Sequence, residues 1–153
     1  MLSVNKQVNL DKTLFTLSGT IDDADDVGKL VGFSTGPTTI NCKAITRINS
    51  VGIKNWIKHF SEFTTKNPQL VFEALAPALV EQVNIVKNFI TASIASISMP
   101  YKCAKCSTAL VAIVKIEDLK KMGTAIPATK CPKCSGDAEF DDVPEEYLGF
   151  LSK

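Results

Sequence analysis

Two short cysteine pairs, Cys103-Ala104-Lys105-Cys106 and Cys131-Pro132-Lys133-Cys134, are the residues of this 153-residue chain best placed to do chemistry. A thiolate is a soft anionic ligand, and a C-x2-C loop turns two of them toward one point. Two such loops offer a divalent metal four sulfurs at the corners of a tetrahedron. Residues 107–130 lie between the pairs. Zinc held by Cys103, Cys106, Cys131 and Cys134 is the first reading; iron, or two pairs of ordinary reduced cysteines, are the alternatives. Four protein ligands close the shell and leave no position for a catalytic water, so the site reads as structural. About 50 residues with few large apolar groups bury too little surface to fold alone, and metal binding supplies the missing free energy.

The residues after the second pair point the same way. Cys131-Pro132-Lys133-Cys134-Ser135-Gly136 resembles the zinc knuckle CPxCG, with the glycine displaced by one. Small residues there let backbone amides turn toward the sulfurs and temper their charge. Ala109 to Ile116 reads as a strand crossing between the knuckles, as in a zinc ribbon. Iron would sit in a rubredoxin-like arrangement. Residues 100–153 hold eight lysines and eight acids, and a four-thiolate zinc site adds about two negative charges. That balance argues against a nucleic-acid partner, although Lys102, Lys105, Lys130 and Lys133 could gather beside the knuckles.

Three other groups carry possible chemistry. Cys42 lies in an alternating strand pattern and reads as a small buried hydrophobe. His59, the single histidine, falls beside an apolar helical stripe and reads as a surface or boundary residue; a Cys42–His59 dyad is the catalytic alternative. Asp22, Asp25 and Asp26 could face one magnesium ion, or could favour the start of a helix by charge alone.

These groups need elements to hold them. Val4 to Asn9 and Thr13 to Ser18 read as an opening hairpin. A short helix follows the acids, with Val27, Leu30, Val31 and Phe33 apolar. Thr38 to Ile45 reads as a strand, extended to Ile48 where the chain enters the next helix. Ser50 to Lys66 is the best helix, with Ile53, Trp56, Ile57, Phe60 and Phe63 on one stripe, and Asn67-Pro68 ends it. Gln69 to Leu75 reads as a strand buried on both faces. Pro77 opens a helix over 77–90, and residues 91–100 form a bridge to the cysteine region. Glu117 to Met122 reads as a helical turn and Pro144 to Leu151 as a short terminal helix. Strands alternating with helices predict a mixed sheet with helices packed on it.

Composition sets outer bounds. Hydrophobic content of 45%, charged content of 22% and a net charge of +1 are globular values without a strong field for nucleic acid or an anionic membrane. No secretory signal or membrane-spanning run is evident, so the expected compartment is the cytoplasm, where thiols stay reduced.

Thr13 to Asp22, ending in Gly19-Thr20-Ile21-Asp22, resembles the opening of a STAS domain, the fold of anti-sigma-factor antagonists: a strand, then Gly-x-[Ile/Leu]-Asp, then a helix. That family carries Asp-Ser-[Ser/Thr]-Gly at a later strand-to-helix junction, where this chain has Asn49-Ser50-Val51-Gly52. Asn49 stands in place of the Asp and Val51 in place of the second hydroxyl. The order of elements agrees over roughly residues 1–99. The resemblance implies a regulatory protein whose partner is a kinase or an anti-sigma-like protein, with Ser50 as the phosphorylated residue. A phosphate there would meet free helical amides. Read from the residues alone, Ser50 is a helix N-cap and Gly52 allows helix and sheet to approach closely.

The expectation is an α/β protein of bacterial type: a STAS-like mixed sheet with packed helices over 1–99, followed by a small four-cysteine zinc ribbon over 100–153. Its expected function is non-enzymatic, binding a protein partner, with no membrane partner. A nucleic-acid-binding ribbon associated with transcription and a small-ligand sensor are the alternatives.

Overall fold

The computed structural model describes residues 1–22, 26–123 and 125–152. The opening hairpin pairs β1 (Leu2–Asn9) antiparallel to β2 (Lys12–Ile21), with Asn9 opposite Lys12. Leu10 makes the turn at φ 55° and is almost fully exposed. β2 alternates as its sequence demands: Phe15 and Leu17 point into the core, while Leu14 and Thr16 lie half-exposed on the other face.

Three crossovers extend the hairpin into a five-stranded mixed sheet ordered β1-β2-β3-β4-β5. Here β3 is Thr38–Ile48, β4 is Leu70–Glu73 and β5 is Ser93–Ile94, all parallel to β2. The crossovers carry α1 (Val27–Val31), α2 (Ser50–Lys66) and α3 (Pro77–Ile85). Helix α2 buries Trp56, Phe60 and Phe63. The Trp56 ring packs 4.4 Å from Phe60 and lies parallel to Phe89 at 5.4 Å. Asn67 ends the helix, and its buried amide donates to the carbonyls of Ser34 and Gly36, tying the turn before β3 to the helix.

A second, antiparallel sheet is ordered β7-β6-β9-β8. Its strands are β6 (Ser96–Cys103), β7 (Ala109–Lys115), β8 (Thr129–Lys130) and β9 (Asp137–Phe140), with α4 (Ile116–Met122), α5 (Pro144–Tyr147) and a 3-10 turn at Gly149–Ser152 beside them. The mixed α/β class is as expected, with five α-helices among the described residues.

Four local expectations differ. The strand at 69–75 is shorter and not buried on both faces: Leu70 and Phe72 are buried, but Glu73 is half-exposed and accepts from the Asn41 side-chain amide at 3.1 Å. Helix α3 stops at Ile85, with Val86 extended. Phe89 is thereby free to stack on Trp56, a tertiary contact that outweighs the continuing apolar period. The third difference lies at 91–100, which is β5 and most of β6. Its serines look like interruptions, yet two of them, Ser96 and Ser98, are matched inside the core. Ser96 Oγ accepts from the Ala74 amide at 2.8 Å, and Ser98 Oγ donates to the Ala74 carbonyl at 3.1 Å. Fourth, β8 and β9 have no counterpart in the sequence reading, being only two and four residues long.

β6 also joins the two sheets. The Leu75 amide donates to Ser96 O, and the Ser98 amide donates to Leu75 O. The position between residues 99 and 100 lies inside this strand, and one apolar core runs from Leu2 through Met99 and Tyr101 to Leu148. The C-terminal segment packs back on α3: the Asn84 side chain donates to Tyr147 O and accepts from the Phe150 amide, and the Tyr147 hydroxyl donates to Ser98 O. Among the described residues no helix is long and apolar enough to cross a membrane.

Candidate metal centre

The four cysteines converge. Cys103 ends β6, Cys106 follows it in the first loop, and Cys131 and Cys134 form the loop between β8 and β9. All four Sγ atoms lie within 4.8 Å of one another. Cross-loop separations are 3.4 Å for Cys103–Cys134 and 3.6 Å for Cys106–Cys131. A tetrahedron with metal–sulfur bonds of about 2.3 Å has edges of about 3.8 Å, so the donor set fits a four-thiolate ion. It does not fit a pair of disulfides, whose sulfurs stand about 2.05 Å apart. None of the five cysteines is in a disulfide.

The two loops are near copies. In each, the amide of the first cysteine donates to the carbonyl five residues on: Cys103 to Thr108 at 2.9 Å and Cys131 to Gly136 at 2.8 Å. The amide four residues on returns to the first cysteine's carbonyl, from Ser107 at 3.0 Å and from Ser135 at 2.9 Å. Both serines sit in the left-handed region, at φ 61° and 59°. Ser135 thus occupies the bend, and the displaced Gly136 serves a different end. A Cβ on Gly136 would lie 3.3 Å from Cys134 Sγ and 3.2 Å from Lys105 Cβ. The sequence reading missed the roles of Ser107, Thr108 and Ser135. The signal was the repeated Cys-x-Lys-Cys-Ser.

Hydrogen bonds tune the sulfurs unequally. The Cys106 and Lys105 amides donate to Cys103 Sγ, each at 3.4 Å, and hold that thiol below its usual range. The Thr108 hydroxyl, 3.1 Å from Cys106 Sγ, and the Thr108 amide bring Cys106 down to about 6. At Cys134 the Gly136 amide pulls downward, but hydrogen bonding to Cys103 and burial outweigh it and push the thiol up to about 12. A cluster this tight cannot ionise fully on its own; a cation at its centre would remove the conflict. Cys103 and Cys131 are buried, Cys134 is half-buried, and Cys106 is exposed.

The knuckle lysines do not form an uninterrupted basic face. Lys130 is ion-paired with Asp137, and Lys102 stands opposite Glu139 in the β6–β9 ladder. Lys105 lays its stem against Gly136.

At the β3–α2 junction the cap is Asn49, not Ser50. Asn49 is extended, at φ −100° and ψ 179°, and its Oδ1 accepts from the Gly52 amide at 2.8 Å. The chain turns one residue before Ser50, and asparagine caps as well as serine does. Ser50 is therefore the first helical residue; it is exposed, and its hydroxyl has no partner among the described residues. Gly52 makes the close approach expected of it. A Cβ there would fall 2.3 Å from Ile21 O, the same carbonyl that accepts from the Asn49 amide.

His59 departs from expectation by being buried at 6% exposure. α1 and Phe33 cover it: Nε2 lies 2.8 Å from Gly32 O, and the Phe33 ring is 4.8 Å away. Since a carbonyl only accepts, Nε2 carries the proton in the neutral ring. Burial lowers the pKa of His59. Cys42 is fully buried, its thiol raised by burial and directed at Ile40 O of its own strand, so it is not hydrogen-bonded to His59. Asp26 is the N-cap of α1, accepting from the Lys29 amide at 3.1 Å. Asp25, the middle member of the magnesium alternative, lies outside the described residues.

No family model matches this chain, and no curated protein matches it.

Proposed function

We propose that this chain is a non-enzymatic regulatory protein that docks a protein partner around Ser50, with zinc as the structural ion of its four cysteines. The observation that carries the docking reading is the Ser50 hydroxyl. It is solvent-facing and has no hydrogen-bond partner among the described residues, on a helical turn held by the Asn49 cap and by Gly52 against Ile21. Val51 beside it is 46% exposed, an apolar contact available to a partner. The strand order, with a helix after each of β2, β3 and β4, supports the STAS-like reading, in which the modified serine occupies this junction. A phosphate on Ser50 would add about two charges beside the amides of the first turn and change what the surface accepts. Acids interleaved with the knuckle lysines favour a protein over a nucleic acid as partner. A closed four-thiolate shell suits zinc, and free clustered thiols suit a reducing compartment such as the cytoplasm.

Parallel affinity capture with the wild type, Ser50→Ala and Ser50→Asp tests the switch. A protein retained by the first two and lost by Ser50→Asp is the expected outcome; equal retention by all three removes Ser50 from regulation. Native mass spectrometry tests the ion, with one zinc per chain expected and its loss in Cys103→Ser. A mass corresponding to iron selects the rubredoxin-like alternative.

A further inference from the structure

Solvent reaches the four cysteines unequally. Cys103 and Cys131 are 1% and 2% exposed and Cys134 is half-buried, whereas Cys106 is open to solvent at the tip of the first loop. A dissolved oxidant meets Cys106 first. Across the loops, Cys106 Sγ stands 3.6 Å from Cys131 Sγ. Cys103 and Cys134 form the other cross-loop pair at 3.4 Å, and Cys103 is shielded.

We propose that Cys106 is an oxidation site for small peroxides, and that its oxidation ends in a Cys106–Cys131 disulfide with release of the metal. This rests on the four-cysteine metal reading. In the first step the Cys106 thiolate attacks one peroxide oxygen. An S–O bond forms, the O–O bond breaks and hydroxide leaves, giving a sulfenic acid. In the second step the Cys131 thiolate attacks the Cys106 sulfur. The S–S bond forms, the S–O bond breaks and a second hydroxide leaves. Two thiolates have lost two electrons, the peroxide has gained them, and two protons convert the hydroxides to water. The ion's own oxidation state is unchanged. Closing the sulfurs from 3.6 Å to about 2.05 Å removes one ligand from each loop. Cys103 and Cys134 alone do not close a shell, so the ion leaves. A dithiol reductant reverses the disulfide and restores the site.

The experiment uses the full chain as purified with its metal. Metal content is measured first; a folded, metal-free protein overturns the metal reading and this proposal with it. The loaded protein is then treated with substoichiometric hydrogen peroxide. Released metal is followed with a colorimetric chelator, and the first disulfide is located by peptide mapping. Metal release in step with a Cys106–Cys131 link supports the proposal. A first link that excludes Cys106, a Cys106 link to any other cysteine, or oxidation with the metal retained overturns it. Cys106→His keeps a ligand at this corner; where it retains metal, release by peroxide should slow by about tenfold or more. Unchanged release from that variant also overturns the proposal. The wild-type map decides the matter if the variant does not hold metal.

Discussion

Stripping the metal with a strong chelator should melt the tip of the second sheet and leave the rest folded. Residues 125–140 hold β8, the second cysteine loop and β9. Fixing those 16 backbones costs about 16 kcal/mol, even at the low end of about 1 kcal/mol per residue. Three register pairs to β6, two between β8 and β9, and the amide bonds of Ala104, Cys131 and Ser135 return about 8 kcal/mol at about 1 kcal/mol each. Phe140, edge-on to Tyr101 and Tyr147 at 5.6 Å and 5.4 Å, adds about 1–2 kcal/mol. The shortfall of about 6–7 kcal/mol is covered by the roughly 10–16 kcal/mol that a structural zinc site supplies. β6 and β7 need no such help, because Ile97, Met99 and Tyr101 belong to the shared core. Hydrogen exchange with and without chelator is the assay. The amides of Ala104, Cys131 and Ser135 should lose protection, while those of β2, β3 and the Ser98 amide keep it. Continued protection of Cys131 and Ser135, or collapse of the whole chain, would refute the reasoning.

Three further outcomes follow from the geometry. Ser107→Gly and Ser135→Gly should each stabilise the metal-bound protein by about 0.5–1 kcal/mol, because relief of a left-handed serine exceeds the added chain entropy of glycine; a lower denaturant midpoint in either variant would show that the serine side chains matter to the loops. At the β3–α2 junction, Gly52→Ala should cost about 1–3 kcal/mol or more through its clash with Ile21 O, Asn49→Ala about 1 kcal/mol, and Ser50→Ala less than about 0.5 kcal/mol; a Ser50 loss equal to that of Asn49 would overturn the cap assignment. His59, lowered from 6.5 by burial, binds its proton more readily when unfolded, so its contribution is intact above pH 6.5 and falls away as pH drops below it; His59→Asn should flatten the pH dependence of denaturant stability in that window, and an unchanged slope would remove His59 from it.

Legibility in the sequence followed how local each signal was. α2 was readable because Trp56, Phe60 and Phe63 recur at helical spacing and Asn67-Pro68 ends the run. The cysteine cluster was readable because ligand spacing is a property of short loops. β6 was hidden because Ser96 and Ser98 look polar until Ala74, more than 20 residues away, supplies their partners. The end of α3 was hidden because Phe89 answers to Trp56 and not to its own helix period. His59 looked peripheral because the element that covers it, α1 with Phe33, is remote in sequence.

The same contrast bears on what a metal at the four cysteines would do. A separate tail folded only by its ion would have its own core, but the core here passes unbroken through β6 into α4 and the C-terminal segment. Ser98 sits at the crossing. Its amide and hydroxyl bond the chain just after β4, at Leu75 and Ala74, and its carbonyl accepts from Tyr147. Tyr147 in turn packs on Phe140, the last residue of β9. The metal loops therefore connect to α3 through Phe140, Tyr147 and Asn84, a chain of packed rings and satisfied hydrogen bonds. An ion that orders β9 also seats Phe140 against the tyrosine that anchors the C-terminal segment. A metal bound by the four cysteines would therefore fix one end of a network whose other end is the helix layer of the first sheet.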